Sequence, residues 1–292
     1  MSKAIIFGAN SQDGHYLRKI LEEEKIAVTG ISRSGGDWIQ GDVGHKEFVN
    51  NLIRSEKPSL IFHLAANSSV SHELLWEHQH TILKGTLNIL ESAFESSPDS
   101  RVFITGSGLQ FENNGDPVKA SNPFHAADAY SMARIQSVFA ARYFREKGIN
   151  VKVGYLFHHD SPFRKTRHLN RIIVDAALAV KKKNHPVLEI ADTGVEKEFG
   201  FAGDIARGIF QLTMQDDLNE ACIGTGKAYT IETWLQLCFQ QVGANWKDFV
   251  KPRTDFVPSF KRLLSDPSDM FQIGWRPELS IEGLANMMMQ NS

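Results

Sequence analysis

The chain has 292 residues, 42% hydrophobic and 23% charged, with a formal net charge of −2. That composition is globular, long enough for one large domain or two fused ones, and carries no global basic field of the kind nucleic acid attracts. No apolar run approaches the roughly 18 residues that span a bilayer, so neither nucleic acid nor a membrane is an expected partner.

Residues 4–7, Ala4-Ile5-Ile6-Phe7, open the chain as a buried strand and not as a signal peptide, which points to a cytoplasmic protein. Gly8-Ala9-Asn10-Ser11-Gln12-Asp13-Gly14 follows, and residues 13–24 read as the first helix. Between a strand and a helix, glycines let the backbone turn sharply and approach a pyrophosphate, which then sits on the helix N-terminus. The spacing is Gly-x-x-Ser-x-x-Gly and not Gly-x-Gly-x-x-Gly, so the flanking strand and helix carry much of the argument.

A second strand over 26–31 ends at Ser32-Arg33-Ser34. In a dinucleotide fold this point meets the adenosine ribose, where an acidic residue selects a free 2′-hydroxyl and an arginine accommodates a 2′-phosphate. Arg33 beside Ser32 therefore favours NADP over NAD; a surface arginine without a ligand is the competing reading. Gly41-Asp42-Val43 offers a carboxylate to the adenine amino group. After a helix over 46–55, the strand at 60–64 runs into Leu64-Ala65-Ala66-Asn67, small enough for a cofactor to lie against the backbone.

A helix over 75–96 precedes a strand at 101–105, and that strand leads into Ser107-Gly108-Leu109-Gln110-Phe111. The next helix, 128–147, places Tyr130 and Arg134 four apart on one face. A phenol ionises near pH 10, roughly, and a cation one helical turn away favours its phenolate. A strand over 150–156 completes the regular part. This alternation predicts an α/β fold with a doubly wound parallel (Rossmann) sheet over 1–160.

After about residue 160 the rhythm weakens. Helices at 169–182, 202–214, 231–242 and 281–289 separate isolated strands at 187–190 and 221–224. We read 161–292 as a smaller C-terminal α/β substrate region, with a soft, partly interleaved boundary. Lys181-Lys182-Lys183 suits a solvated helix end. Met287-Met288-Met289 reads as a core-facing helix end. Cys222 and Cys238 have no metal-ligand or redox spacing and fit a reducing compartment; no metal is expected.

In order, residues 8–14, Asp42, His63-Leu64-Ala65-Ala66, Ser107 and Tyr130 resemble an extended short-chain dehydrogenase/reductase over nearly the whole chain. Further stretches are similar to its nucleotide-sugar branch, and within that to GDP-mannose 4,6-dehydratase and GDP-4-keto-6-deoxymannose reductase. Ser11-Gln12-Asp13-Gly14-His15-Tyr16-Leu17 resembles Gly-Gln-Asp-Gly-Ser-Tyr-Leu, and Phe157-His158-His159-Asp160-Ser161-Pro162 resembles Phe-Asn-His-Glu-Ser-Pro. Lys197-Glu198-Phe199-Gly200-Phe201-Ala202-Gly203-Asp204 resembles Arg-Asp-Trp-Gly-His-Ala-x-Asp, and Gly274-Trp275-Arg276-Pro277 resembles Gly-Trp-Lys-Pro.

The resemblance implies a pocket for a nucleoside-diphosphate sugar, GDP-linked in the nearest relatives, facing a nicotinamide. Ser107 then bonds the sugar oxygen, Tyr130 is the acid/base, and Arg134 stands where lysine binds the nicotinamide ribose. His158, Arg171 and Lys197 are implied substrate contacts, each with a plain surface or packing alternative.

The pattern departs at Ser11, where the family has glycine, and at Arg134, whose guanidinium cannot release a proton at neutral pH. It departs at Leu109, where a dehydratase keeps a carboxylate, and in a short loop at 33–41 that argues against a tetramer. A homodimer through the helices at 75–96 and 128–147 is expected by analogy. The expected activity is NADP-dependent hydride transfer at a sugar carbon, by a ketosugar reductase first and an epimerase second. A 4,6-dehydratase and a non-catalytic binder are the alternatives.

Overall fold

Apolar strands that alternate with amphipathic helices bury both faces only in a parallel sheet covered on both sides. The computed structural model, which describes residues 2–164, 168–254 and 257–290, has that arrangement. β1 (Lys3–Phe7), α1 (Gln12–Glu23), β2 (Ala27–Ser32), β3 (Ile39–Gln40), α2 (Lys46–Glu56) and β4 (Leu60–His63) come first. α3 (Leu75–His78) and α4 (Gly85–Ser96) are joined by a π-helical turn, Gln79–Lys84. Then come β5 (Arg101–Ser107), α5 (Ala129–Glu146) and β6 (Asn150–Leu156). Past β6 the chain makes α6 (Leu169–Lys181) and returns to the sheet through α7 (Ala202–Met214) and the strand Glu220–Ile223. It ends in α8 (Ile231–Gln240), α9 (Ser268–Gln272) and α10 (Ile281–Gln290).

The seven-stranded sheet runs β3-β2-β1-β4-β5-β6 and then Glu220–Ile223, every pairing parallel. Its order reverses at β1, between β2 and β4, where such a sheet opens a crevice at its carboxyl ends. α1 and α7 cover one face with Leu17, Leu21, Ile205 and Ile209. α2, α4 and α5 cover the other with Ile53, Ile89, Val138 and Ala141. A separate core around Trp234, Phe239, Leu284 and Met288 joins α6, α8 and α10. α7 and its strand thus belong to the sheet although they follow α6 in sequence.

The helix expected as one piece over 75–96 is broken by the π turn. Gly85 packs against Val43, 2.8 Å from where a Cβ would stand, and the Thr86 hydroxyl donates to the Ile82 carbonyl at 2.7 Å. This wide turn shifts the register, so that Thr81 reaches the crevice. The two- and three-residue strands Glu196–Glu198, Ala228–Thr230 and Arg262–Leu263 form a small side sheet. They are too short to leave a periodic signal. Among the described residues, no helix is long and apolar enough to cross a membrane.

Candidate active site

The carboxyl ends of β1, β4, β5 and β6 open into one cleft of about 680 Å³. Gly8 directly follows β1 at φ +92°, and a Cβ there would stand 2.6 Å from the Ala65 backbone nitrogen. A Cβ on Gly14 would stand 2.6 Å from the Gly8 carbonyl oxygen. Both glycines are therefore required for the close approach of the loop to its neighbours. Ser11 is not in the left-handed region: at φ −78° it is the N-cap of α1, and its hydroxyl accepts from the Gly14 N–H at 3.0 Å. The serine caps the helix without strain.

Gly8, Asn10, Ser11, Gln12 and Asp13 line the cleft, together with Ser32, Arg33, Asp42, Leu64, Ala65 and Ala66. Gly14 lies behind them as a packing glycine. Asn10 donates to the Ser34 hydroxyl at 2.9 Å. Gln12 spans to the far end of the cleft, donating to the His159 carbonyl at 3.2 Å and accepting from Ser161 at 3.0 Å. Arg33 pairs with Glu77 of α3 at 3.0 Å. Asp42 accepts from the Gly44 N–H at 2.8 Å.

Ser107, Tyr130 and Arg134 line the middle of the cleft. Ser107 ends β5, and its hydroxyl oxygen accepts from the Leu109 N–H at 3.2 Å, leaving the hydroxyl proton free to donate. A reciprocal cap fixes the start of α5: Asp128 accepts from the Ser131 N–H at 2.7 Å, and the Ser131 hydroxyl accepts from the Asp128 N–H at 3.0 Å. Tyr130 is thereby held in the first turn.

Arg134 is buried, donates from Nη1 to the Thr105 carbonyl at 2.6 Å, and lies 5.1 Å from the Tyr130 ring centroid. Its Nε is buried without a partner. Burial first, then the charge of Arg134, pushes the neighbouring His63 down to about 4, so that imidazole is neutral. Leu109 lines the same wall and packs with Ile82 and Tyr130. Glu112 is exposed and is not among the residues lining the cleft.

At the far end, His158, His159, Asp160, Arg164, Asn170 and Lys197 close the cleft. His159 pairs with Asp13 at 2.8 Å. Burial pushes the Asp13 carboxyl up, but the charge and hydrogen bond of His159 outweigh it and hold the carboxyl below its ordinary value. His159 is raised: burial lowers it, and Asp13 more than compensates. Arg164 pairs with Asp160 at 2.5 Å. Burial lowers Lys197 to about 8, with Asp160 acting against it. Burial and Lys197 hold His158 well below its usual range, so it is neutral.

Arg171 is not brought to this cleft. Its guanidinium is tied to Asp175 at 2.8 Å and to the Pro162 carbonyl at 3.1 Å. Arg164, Asp160 and Asn170 are the polar residues that sequence reasoning passed over. Asp160 stands inside a motif already recognised, whereas Arg164 and Asn170 carry no spacing signal of their own.

A family model for GDP-mannose 4,6 dehydratase matches residues 5–288. The chain belongs to the GDP-mannose 4,6-dehydratase family. It is of the extended short-chain dehydrogenase/reductase type, the class of nucleotide-sugar dehydratases and epimerases. GDP-mannose 4,6 dehydratase 1 of Arabidopsis thaliana is 25% identical over 98% of this chain and 88% of its own. The GDP-mannose 4,6-dehydratase of Vibrio cholerae is 24% identical over 99% and 93%. In fold, the chain resembles the UDP-glucose 4-epimerase of Thermus thermophilus solved with NAD, at a TM-score of 0.84 with 18% identity over 99% and 98%. It equally resembles RMD of Pseudomonas aeruginosa complexed with NADPH, at 0.84 with 17% identity over 100% and 97%.

Proposed function

We propose that this family member is an NADP-dependent ketosugar reductase or epimerase acting on a nucleoside-diphosphate sugar, with reduction the favoured reaction. The observation that carries this reading is one cleft wall on which Ser107, Tyr130 and Arg134 stand together while Leu109 occupies the carboxylate position. The cleft fits a nicotinamide dinucleotide. Two glycines admit no Cβ, the N-terminus of α1 faces the opening, and Arg134 keeps a buried Nε free of partners.

Gly8, Asn10, Ser11, Gln12 and Asp13 would hold the pyrophosphate, Ser32 and Arg33 the 2′-phosphate, Asp42 the adenine, and Leu64, Ala65 and Ala66 the dinucleotide's flank. When bound, the dinucleotide supplies the hydride. Ser107 donates a hydrogen bond to the sugar carbonyl oxygen, and Tyr130 gives that oxygen its proton. Arg134 holds the ribose side and steadies the tyrosine. His158 and Lys197 face the anionic part of the substrate, a GDP group by the family's pattern; Arg171 contributes through Asp175 and Pro162 to the wall behind them.

Family membership favours a second reading, 4,6-dehydration. That reaction needs a base at C5 and an acid at the departing C6 hydroxyl. The carboxylates among the described residues lining the cleft are Asp13, Asp42 and Asp160, and Asp13 and Asp160 are held by His159 and Arg164. Incubation with GDP-mannose and catalytic NADP, read by NMR for a C6 methyl, decides between the two. We expect no methyl signal there, and NADPH oxidation with GDP-4-keto-6-deoxymannose. Many turnovers to the methyl product refute the reductase reading.

The exposed Trp76, Phe94, Phe139 and Tyr143 on α3, α4 and α5 support a homodimer through these helices. Sedimentation of the protein and of Phe139→Glu tests it, with a monomeric wild type as the refuting result.

A further inference from the structure

We propose that Asp42, His45 and His80 form a site for a borderline divalent transition-metal ion of the Zn²⁺ class at the rim of the cleft. Each residue offers one ligand atom, and the three atoms lie within 4.8 Å of one another. His80 Nε2 is 3.2 Å from Asp42 Oδ2, and the two imidazoles meet edge to face with centroids 5.7 Å apart. Around a tetrahedral ion with bonds of about 2.0–2.1 Å, ligand atoms stand roughly 3.3 Å apart. The Asp42–His80 pair already has that spacing. His45 is exposed and closes the remaining gap by rotating its side chain.

The backbone is shaped for this cluster. Asp42 and His45 share one turn, in which the His45 N–H donates to the Asp42 carbonyl at 3.1 Å. The Gly44 N–H holds Asp42 Oδ1 and orients the carboxylate, with Oδ2 turned to His80. Gly44 also makes room: a Cβ there would stand 2.1 Å from His80 Nε2. His80 comes from the π turn, an irregularity often found at functional sites. A simple surface ion pair needs only His80 and Asp42, and leaves the convergence of His45 and the bare Gly44 without a reason.

Two imidazoles and one carboxylate select Zn²⁺, Co²⁺ or Ni²⁺ over Mg²⁺ and Ca²⁺, which want oxygen ligands. Three protein ligands leave a position open to water. Asp42 also lines the cleft. If it contacts adenine, as the proposed function has it, metal and dinucleotide compete for one carboxylate and each weakens the other. Only this coupling rests on that reading; the site itself does not.

The test is titration of the dinucleotide-free protein with Co²⁺, followed by its visible absorption. We expect one Co²⁺ per chain, with the intense band of a four- or five-coordinate ion, displaced by Zn²⁺. His45→Asn, at an exposed N-cap position of α2 that asparagine suits, should weaken binding about tenfold or more, as should His80→Asn, with the His45→Asn melt in chelator no lower than wild type. Equal binding by the His45→Asn/His80→Asn double variant, or a wild-type spectrum no different from aqueous Co²⁺, overturns the site. NADPH should then release the Co²⁺. If Co²⁺ binds as expected and NADPH leaves its affinity unchanged, the adenine role of Asp42 falls and the metal site stands.

Discussion

Gly8→Ala should damage both stability and dinucleotide binding, by an amount the geometry sets. The residue sits at φ +92°, where an L side chain costs about 1–2 kcal/mol. The added Cβ meets Ala65 N at 2.6 Å, Ala65 Cα at 2.8 Å and Leu64 C at 2.8 Å, against an ordinary contact of 3.4 Å or more. All three are backbone atoms, so no side chain can swing away. The Leu64–Ala65 peptide must retreat by about 0.8 Å, an overpacking that costs about 1–3 kcal/mol. The sum is about 2–5 kcal/mol, or a fall in Tm of about 4–10 °C for a chain of this size.

Gly115→Ala separates the two contributions. It has φ +94° with nothing within 4 Å of the new Cβ, so it should lose only the conformational part, about 2–4 °C. Because the displaced peptide lines the cleft, Gly8→Ala should also weaken NADPH at least about tenfold, equivalent to about 1.4 kcal/mol, while Gly115→Ala leaves it alone. Calorimetric melts and fluorescence titration read both quantities. Equal melts for the two variants, with NADPH affinity retained in Gly8→Ala, would refute the close-approach argument.

Tyr130→Phe should fold normally and lose turnover by roughly 10²-fold or more, measured as NADPH oxidation with a 4-keto sugar nucleotide; near wild-type turnover removes Tyr130 from the chemistry. Arg33→Ala should weaken NADP far more than NAD, because only NADP carries the 2′-phosphate that a guanidinium grips, whereas Glu77→Gln should strengthen NADP by freeing Arg33 from its 3.0 Å pair. Equal losses for both cofactors in Arg33→Ala would refute that role. Arg134→Lys should lower activity, since an ammonium cannot both keep the Thr105 carbonyl bond and cover the Tyr130 ring; a rise in activity would mean the arginine is only tolerated. Lys197 is held at about 8, and only its protonated form attracts a diphosphate, so GDP affinity measured by calorimetry should fall as pH rises through that value. Lys197→Arg should flatten the profile, and an unchanged profile would place the titration elsewhere.

The sheet was legible because its strands are short apolar runs at the spacing a crossover helix imposes, and residues 4–7 and 150–156 need nothing beyond pattern to be found. The π turn was not legible. It runs into Gly85 where that residue approaches Val43, and such an approach exists only after folding. The dinucleotide loop could be read from glycine spacing because glycine there answers a steric demand of the local turn. The other end of the cleft could not be read in the same way. Arg164 and Arg171 look alike in sequence, yet Arg164 meets Asp160 in the cleft while Arg171 turns to Asp175 on its own helix.

The departures from the family pattern differ in what they remove. Ser11 keeps the helix capped and leaves the loop's backbone donors in place, and Arg134 keeps a cation beside Tyr130, so both preserve what the proposed hydride transfer requires. Leu109 is different in kind. It packs with Ile82, Ala133 and Tyr130, and an aliphatic chain has no proton to give or take. The Arg134 guanidinium holds the Thr105 carbonyl through Nη1, while its Nε has no partner. The described residues lining the cleft offer Asp13, Asp42 and Asp160 as carboxylates, and the wall that carries Leu109 beside Ser107, Tyr130 and Arg134 holds none of them in its place. On the reading we propose, proton transfer at a second sugar carbon therefore lacks its group, while proton transfer to the carbonyl oxygen keeps Ser107 and Tyr130.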